Sequence, residues 1–230
     1  ANQDFGDRKK ARELYTDAIS LSKSINDRAG EASSLINLAK VSQFMGDYPK
    51  ALEVAERARV MVNELGDRRK QAMVLNNMCN TYQSTGAYQQ AFEACNQALS
   101  IARDIHDRVT EANALLNLGN TYYSVGDYQK TIDFYVQAKE LTKELGNRRG
   151  EGLALNNLGW IYKTLGDPQK SIDSYNQALE IFRALGDNAR EATVLNNLAV
   201  GYSDAGDWHK ALEAHLKILS LRELSNNRDQ

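Results

Sequence analysis

The sequence predicts an all-α protein built from about eleven antiparallel helices. Three observations lead to this prediction. Gly-Asp pairs recur at a spacing of 40 residues, a second turn signal follows 20 residues after each of them, and the apolar residues in between keep helical spacing. Only two of the 230 residues are proline, so the segments between turns can form uninterrupted helices.

Each turn signal combines the end of one helix with the start of the next. Glycine readily adopts the left-handed conformation that ends many helices, and Asn26 and His106 stand where other turns have glycine. The Asp or Asn that follows can accept hydrogen bonds from the first N–H groups of the next helix. Pro168 falls on a first helical position, which proline tolerates. The 40-residue signals are Gly6-Asp7, Gly46-Asp47, Gly86-Ala87, Gly126-Asp127, Gly166-Asp167 and Gly206-Asp207.

These turns organise residues 1–230 as a single array. It consists of an unpaired helix at 7–25 and five helix pairs at 27–65, 67–105, 107–145, 147–185 and 187–225. We call the two helices of a pair its first and second helix. Neither end carries the polar terminal repeat that such arrays need, and residues 225–228 repeat the start of a further unit. The sequence therefore predicts a segment of a longer protein.

Small residues mark where the two helices of a pair approach each other. Each first helix has a leucine followed four residues later by a small side chain, as at Leu155 and Gly159. Cys79 and Cys95 lie at such core positions, and we interpret them as buried fillers rather than a disulfide framework, zinc site or redox pair. Trp208 and His215 replace tyrosines of other second helices and are therefore predicted to be structural.

Composition argues against several classes of function. Lys and Arg number 28 against 30 Asp and Glu, a balance that disfavours nucleic-acid and membrane-surface binding. No run of 18 apolar residues could form a membrane-spanning helix. The three histidines lack metal-ligand spacing, and the glycines form no phosphate-binding loop. We therefore expect neither an enzyme nor a cofactor or metal site.

One repeat carries a family resemblance. Leu115, Leu118, Gly119 and Tyr122, followed by Tyr135, resemble the tetratricopeptide repeat, here lengthened from about 34 residues and without its late proline. The lengthened units look like those of Pins/LGN-type polarity adaptors, kinesin light chains and bacterial arrays attached to CHAT domains. The resemblance implies a right-handed superhelical α-solenoid whose first helices line a concave, protein-binding groove.

An asparagine at one position of every first helix is the main candidate for partner binding. Helix propensity does not favour asparagine, and its amide can pair with both main-chain groups of a peptide. In related adaptors, asparagines at the matching place hold a peptide. Alternatively, each amide could bond the neighbouring repeat. The predicted groove residues are Asn37, Asn77, Asn117, Asn157, Asn197, Lys40, Asn80, Asn120, Trp160 and Asn113. For Trp160, the alternative is packing against the adjacent repeat.

Arginines gather at the starts of first helices, where they oppose the helix dipole. They could form a basic rim for an acidic peptide, but ion pairing with acids of the same helix or the preceding unit is favoured. Chaperone-binding members of the family that this chain resembles clamp a terminal carboxylate with basic residues. Such a clamp is not expected here, because Asn113 and Asn117 stand where those members have basic residues. The rim residues are Arg68, Arg69, Arg108, Arg148 and Arg149.

The leading functional hypothesis is a scaffold that binds a protein or peptide segment in its concave groove. A second is an intramolecular regulatory or sensor arm of a larger effector, such as a CHAT protease-like protein or a transcriptional regulator. A third is a structural array that self-associates through its uncapped ends. Nucleic acid and membrane insertion are not expected, and the expected location is cytoplasmic.

Overall fold

The computed structural model describes residues 2–226 and the side chains of residues 7–221. The described residues form eleven α-helices and no strand, which confirms the predicted all-α class. The helices are α1 (Asn2–Ser24), α2 (Arg28–Phe44), α3 (Tyr48–Glu64), α4 (Arg68–Ser84), α5 (Tyr88–Asp104), α6 (Arg108–Ser124), α7 (Tyr128–Glu144), α8 (Arg148–Thr164), α9 (Pro168–Ala184), α10 (Asn188–Asp204) and α11 (Trp208–Asn226).

The turns use the backbone conformation that the sequence predicts. The second residue after each helix from α1 to α10 has a positive φ, including the two non-glycine residues Asn26 at 57° and His106 at 55°. The next residue then caps the following helix. Asp127, for example, accepts a hydrogen bond from the backbone N–H of Lys130 at 3.2 Å. Ala87 is the exception, because it has no side-chain acceptor to offer.

The ends of the array differ from the predicted boundaries. Helix α1 begins at Asn2, so Gly6-Asp7 lies inside a helix and the predicted start at residue 7 is wrong. A glycine permits a turn without enforcing one, and within a helix it costs only about 1 kcal/mol relative to alanine. Helix α11 continues to Asn226. The rest of the predicted final turn signal, Asn227 and Arg228, lies outside the described residues.

The chain divides into two compact units, Ala1–Gly126 with α1–α6 and Asp127–Gln230 with α7–α11. In the first unit each helix packs against the next in sequence, and α4 also contacts both α2 and α6. In the second unit α7–α11 pack in the same sequential way, and α8 contacts α10. First helices are thus neighbours within each unit, which brings side chains 40 residues apart near one another.

In the core of the pair α8–α9, two residues 16 apart in sequence approach each other closely. A Cβ atom added at Gly159 would lie 2.6 Å from Cδ1 of Tyr175, whose side chain is fully buried. In the first pair, Ala39 and Ala55 take the equivalent positions and are both buried. A small side chain on the first helix therefore makes room for its partner on the second.

Cys79 and Cys95 occupy the same two positions in the pair α4–α5 and form a disulfide. Their Cα atoms are 5.4 Å apart and both side chains are fully buried. The prediction that they fill the core is confirmed, but the interpretation that they are not joined is wrong. The physical reason is that residues 16 apart face each other at the closest approach of the two helices, within bonding reach.

Candidate functional site

The five predicted ladder asparagines differ in accessibility. Asn37 on α2 is exposed, whereas Asn117 on α6 is buried, with 9% of its surface exposed. Asn77, Asn157 and Asn197 are half-buried. The ladder is therefore not uniform, and its members can serve different roles.

Two ladder asparagines bond the preceding repeat. The amide of Asn117 donates to Oδ1 of Asn76 at 3.3 Å, and Asn76 donates to the carbonyl of Thr110 at 3.4 Å. In the second unit, Asn197 donates to Oδ1 of Asn156 at 2.9 Å. In both cases the acceptor lies 41 residues earlier, on the neighbouring first helix. The inter-repeat alternative therefore describes Asn117 and Asn197.

Asn77 has no such partner. The residue 41 positions earlier is Ile36, which is buried and offers no polar atom. Within the described residues, the amides of Asn37 and Asn77 make no hydrogen bond to protein atoms. Because a half-buried amide loses part of its hydration, the amide of Asn77 is the ladder member best placed to gain from an external partner.

A groove on the first unit brings several predicted residues together. It has a volume of about 480 Å³ and runs across α2, α4 and α6. No carboxylate lines it, and its one charged residue is Lys40. Phe44 and Met73 supply apolar surface, with 56% and 42% of their areas exposed. The full lining consists of Lys40, Gln43, Phe44, Met73, Asn76, Asn77, Asn80, Thr110, Asn113 and Asn117.

The other predicted groove residues lie elsewhere. Asn120 is on α6 but does not line this groove. Asn157, Asn197 and Trp160 belong to the second unit. Trp160 is 42% exposed, and the Lys163 ammonium lies 5.2 Å from the centre of its ring. Its side chain therefore keeps accessible aromatic surface.

Trp208 and His215 on α11 were expected to be structural, and the structure corrects this. Trp208 is 70% exposed and His215 is also exposed. Among the described helices only α10 contacts α11, and this side of α11 is turned away from that contact. Tyr175, which stands at the position equivalent to His215, is covered and fully buried.

The arginines of the predicted basic rim are all in ion pairs. Arg68 lies 3.2 Å from Asp104, and Arg69 lies 3.0 Å from Asp107. The remaining pairs are Arg108–Glu111 at 3.6 Å, Arg148–Glu151 at 2.6 Å and Arg149–Asp187 at 3.0 Å. Nearby carboxylates thus offset the positive charge of this rim, which supports the ion-pairing alternative. The paired acids lie on the same or the following helix pair, not on the preceding one.

Two of these pairs join consecutive repeats. Arg69 and Arg149 each contact the aspartate that caps the next first helix, Asp107 and Asp187. Burial is the largest effect on the pKa of Asp107 and would raise it. Hydrogen bonds from Thr110 and the charge of Arg69 together outweigh burial, and the pKa is lowered. Burial is also the largest effect on the pKa of Asp187, but the hydrogen bonds with Arg190 and the charges of Arg190 and Arg149 together outweigh it, and the pKa is lowered.

The disulfide, which the sequence interpretation missed, lies behind the groove. Cys79 follows Asn77 by two residues on α4, and Nε2 of Gln83 lies 3.3 Å from its sulfur. The same amide donates to the backbone carbonyl of Asn117 on α6 at 2.7 Å. The disulfide is thus linked through one side chain to both α4 and α6. The signal for it was present in the sequence, as two cysteines at the facing positions of one helix pair.

Two other kinds of feature are absent from the described residues. No cluster of three or more His, Cys, Asp or Glu side chains suited to a metal ion occurs among them. No helix in the described part of the chain is long and apolar enough to cross a membrane.

Comparison with known proteins identifies related folds. Solved structures with similar folds include BtubC (BKLC) from P. vanneervenii, with a TM-score of 0.80 and 20% identity over 95% of this chain and 92% of that chain. A signal transduction ATPase with a tetratricopeptide repeat sensor, from Pyrococcus horikoshii, has a TM-score of 0.75 and 21% identity over 92% of this chain and 33% of that chain. A Rap protein complexed with competence and sporulation factor has a TM-score of 0.69 and 17% identity over 96% and 71%.

No curated protein sequence matches the chain. The family model of the tetratricopeptide repeat matches residues 1–63, 70–144, 110–184 and 165–224, in overlapping copies that cover nearly the whole sequence. These matches agree with the helix pairs and the glycine turns described above. The chain therefore belongs to the tetratricopeptide repeat family, whose all-α solenoid fold serves protein interaction.

Proposed function

We propose that the groove on α2, α4 and α6 binds an extended segment of a partner protein or peptide. The observation that supports this most is the amide of Asn77. It lies in a groove of about 480 Å³ without a carboxylate, and no protein atom satisfies it within the described residues. An amide donates and accepts at once, as a peptide main chain requires.

The spacing of the first helices suits this role. Packed helices lie about 8–10 Å apart, and an extended chain advances about 3.3 Å per residue. Amides on neighbouring first helices would therefore meet main-chain groups about three residues apart. Asn77 and Asn80 on α4 and Asn113 on α6 line the groove together. Phe44 and Met73 add apolar surface for side chains of the segment.

One similar fold supports binding of this kind. The Rap protein was solved in complex with competence and sporulation factor. At 17% identity this likeness shows the fold alone, so the partner of the present chain has its own chemistry. We infer that binding, without a catalytic step, is the function, and that the partner is a polypeptide and not nucleic acid. We further propose that the protein acts in the cytoplasm.

A peptide selection tests the proposal. Random 12-residue peptides are displayed and selected on the wild-type chain, and the affinity of the selected peptides is measured by fluorescence anisotropy. Each lost hydrogen bond costs about 0.5–1.5 kcal/mol. Replacing both Asn77 and Asn80 by alanine should therefore weaken binding by about tenfold, without loss of helical content.

The matched control is Asn96→Ala on the second helix α5. Asn96 is exposed and donates to the carbonyl of Phe92 in its own helix. This variant should keep full affinity. If the Asn77/Asn80 variant binds the selected peptides as tightly as wild type, the groove proposal is wrong.

The fold neighbours also support a sensor role. The Pyrococcus horikoshii protein carries a tetratricopeptide repeat sensor, and the present chain spans about a third of its length. On this alternative, the array regulates an effector domain such as a CHAT protease-like or transcriptional domain. Expression with the adjoining coding sequence tests it: a peptide that binds the groove should change the activity of the attached domain.

Self-association is favoured by one surface. Helix α11 exposes the side chains of Trp208, Leu212, Leu216 and Leu219, each by more than half. On this alternative, a second copy covers the stripe with an apolar face of its own. Light scattering over a concentration series should show oligomers, and Leu212→Asp should abolish them. A monomer at all concentrations would exclude this role.

A further inference from the structure

A position near the end of each first helix is filled by tyrosine in four of the five helix pairs. These residues are Tyr82, Tyr122, Tyr162 and Tyr202. In the first pair, the equivalent residue on α2 is Ser42. The helices around Ser42 follow the same order as those around the tyrosines. The first repeat therefore has the same surroundings but lacks the aromatic ring that the other four contain.

The contacts of the tyrosines show what surrounds such a ring. Tyr202 packs against the core of the second unit, and the Lys210 ammonium lies 5.5 Å from its ring centre. Lys170 lies 5.6 Å from the ring centre of Tyr162. In both cases the lysine follows the tyrosine by eight residues. The slot for the ring therefore has a cationic group on one side, which favours an aromatic occupant.

The preceding second helix supplies the other side of the slot. The rings of Phe92 on α5 and Tyr122 on α6 have centroids 4.7 Å apart. At Ser42, the residue equivalent to Phe92 is Arg12 on α1, and the lysine eight residues later is Lys50 on α3. Both the lysine and a second cation are thus present around a position that has lost its ring.

The slot at Ser42 is open. A cavity of about 400 Å³ lies between α1, α2 and α3, whereas a cavity lined by Tyr202, which shares four equivalent lining positions with it, has a volume of about 150 Å³. Ser42 is 1% exposed, and its buried hydroxyl oxygen has no hydrogen-bond partner within the described structure. Such a group costs free energy unless something else satisfies it. The cavity is lined by Arg12, Glu13, Thr16, Asp17, Leu38, Ser42, Asp47 and Lys50.

We propose that this cavity, the Ser42 slot, is a binding site for a phenol ring. The ring takes the place of the missing tyrosine, with Leu38 as apolar wall and the cations of Arg12 and Lys50 beside it. Polar groups at the wall, including Ser42, are available to the phenol hydroxyl. Lys50 pairs with Glu53, three residues later, whereas Lys170, which faces Tyr162, pairs with Asp167, three residues earlier. The Lys50 ammonium therefore has to leave Glu53 in order to face the ring as Lys170 does.

The Ser42 slot is separate from the groove described above. None of its lining residues lines that groove, and it involves α1 and α3, which the groove does not. The two proposals can therefore fail independently. The ligand chemistry is a para-substituted phenol, either free or as the side chain of a tyrosine in a partner protein.

A titration with p-cresol, the side-chain analogue of tyrosine, tests the Ser42 slot. Binding to the full chain is followed by NMR chemical shifts. For a ligand of eight heavy atoms we expect a dissociation constant on the order of 1 mM. Cyclohexanol at the same concentrations should bind at least about fivefold more weakly, because it has no aromatic face for the cations.

Variants locate the site. Ser42→Tyr should fill the cavity, abolish p-cresol binding and raise the melting temperature. The matched control, Ser124→Tyr, adds a ring at an exposed position of α6 and should leave p-cresol binding unchanged. Lys50→Met should weaken p-cresol binding several-fold, and it provides a second measurement if Ser42→Tyr fails to fold.

N-acetyl-tyrosine amide distinguishes the two sources of the ring. If N-acetyl-tyrosine amide and p-cresol each bind, the Ser42 slot receives a tyrosine side chain. If p-cresol binds and the amide does not, the Ser42 slot receives a free phenol. The proposal is overturned if p-cresol does not bind up to about 20 mM, or if Ser42→Tyr binds it as well as wild type.

Discussion

The Cys79–Cys95 disulfide is expected to stabilise the first unit by about 3 kcal/mol. It closes a loop of 16 residues between α4 and α5. In the chain-entropy treatment, a loop of this length removes about 3 kcal/mol of conformational freedom from the unfolded chain. The folded state accommodates the disulfide, because both cysteine side chains are buried at the facing positions of the helix pair.

Guanidinium denaturation followed by circular dichroism measures this contribution. The curves are compared for oxidised wild type, for wild type with a dithiol reductant and for the Cys79→Ala, Cys95→Ala double variant. The double variant has a template within the chain, since Ala39 and Ala55 occupy the same positions in α2 and α3. It therefore separates loss of the cross-link from damage to packing.

We expect the reduced protein and the double variant to unfold at similar, lower denaturant concentrations than the oxidised protein. Removing the disulfide should act mainly by giving the unfolded chain more conformational freedom. The helical content of the folded protein should therefore be the same in oxidised wild type, reduced wild type and the double variant. Equal midpoints for oxidised and reduced wild type, or two free thiols in the folded oxidised protein, would refute the reasoning.

Further predictions concern packing and pH. Gly159→Ala should destabilise the second unit by about 1–2 kcal/mol in denaturant titrations, because the added Cβ overlaps the ring of Tyr175 by lying 2.6 Å from it. Gly201→Ala, whose Cβ would lie 3.8 Å from the nearest side chain, should be neutral or stabilising; equal losses would contradict this. The pKa of Asp107 is lowered below its ordinary value of 3.8, so its stabilisation is present above that pH and is lost as pH falls through the folded-state pKa. Thermal melts should show Asp107→Asn less stable than wild type at pH 7, with the difference shrinking as the pH falls below 3.8. If the stability of Arg69→Met depends on pH as that of wild type does, the ion pair between Arg69 and Asp107 contributes nothing to this pH dependence.

The helices and turns could be predicted from the sequence because their causes are local. A left-handed residue and a capping side chain need only their immediate neighbours, and even the unusual stops at Asn26 and His106 follow from the 40-residue spacing. The same reasoning failed at Gly6, since glycine allows a helix to continue when no other interaction ends it. The buried leucines of the first helices were predictable for a similar reason, as helical spacing sets which side of a helix meets its neighbours.

The role of each ladder asparagine depends on residues that are distant in sequence. Five identical residues at one position gave no reason to separate them, yet Asn117 bonds Asn76, whereas the residue at the equivalent place before Asn77 is the apolar Ile36. The disulfide and the Ser42 slot also depend on residues that are distant in sequence. Cys79 and Cys95 are 16 residues apart, and Arg12 and Ser42 are 30 residues apart. Helix formation is governed by interactions within about four residues, so the sequence alone determined the elements and their period. Contacts between helices depend on which side chains meet when the helices pack. Only the tertiary structure decided these contacts.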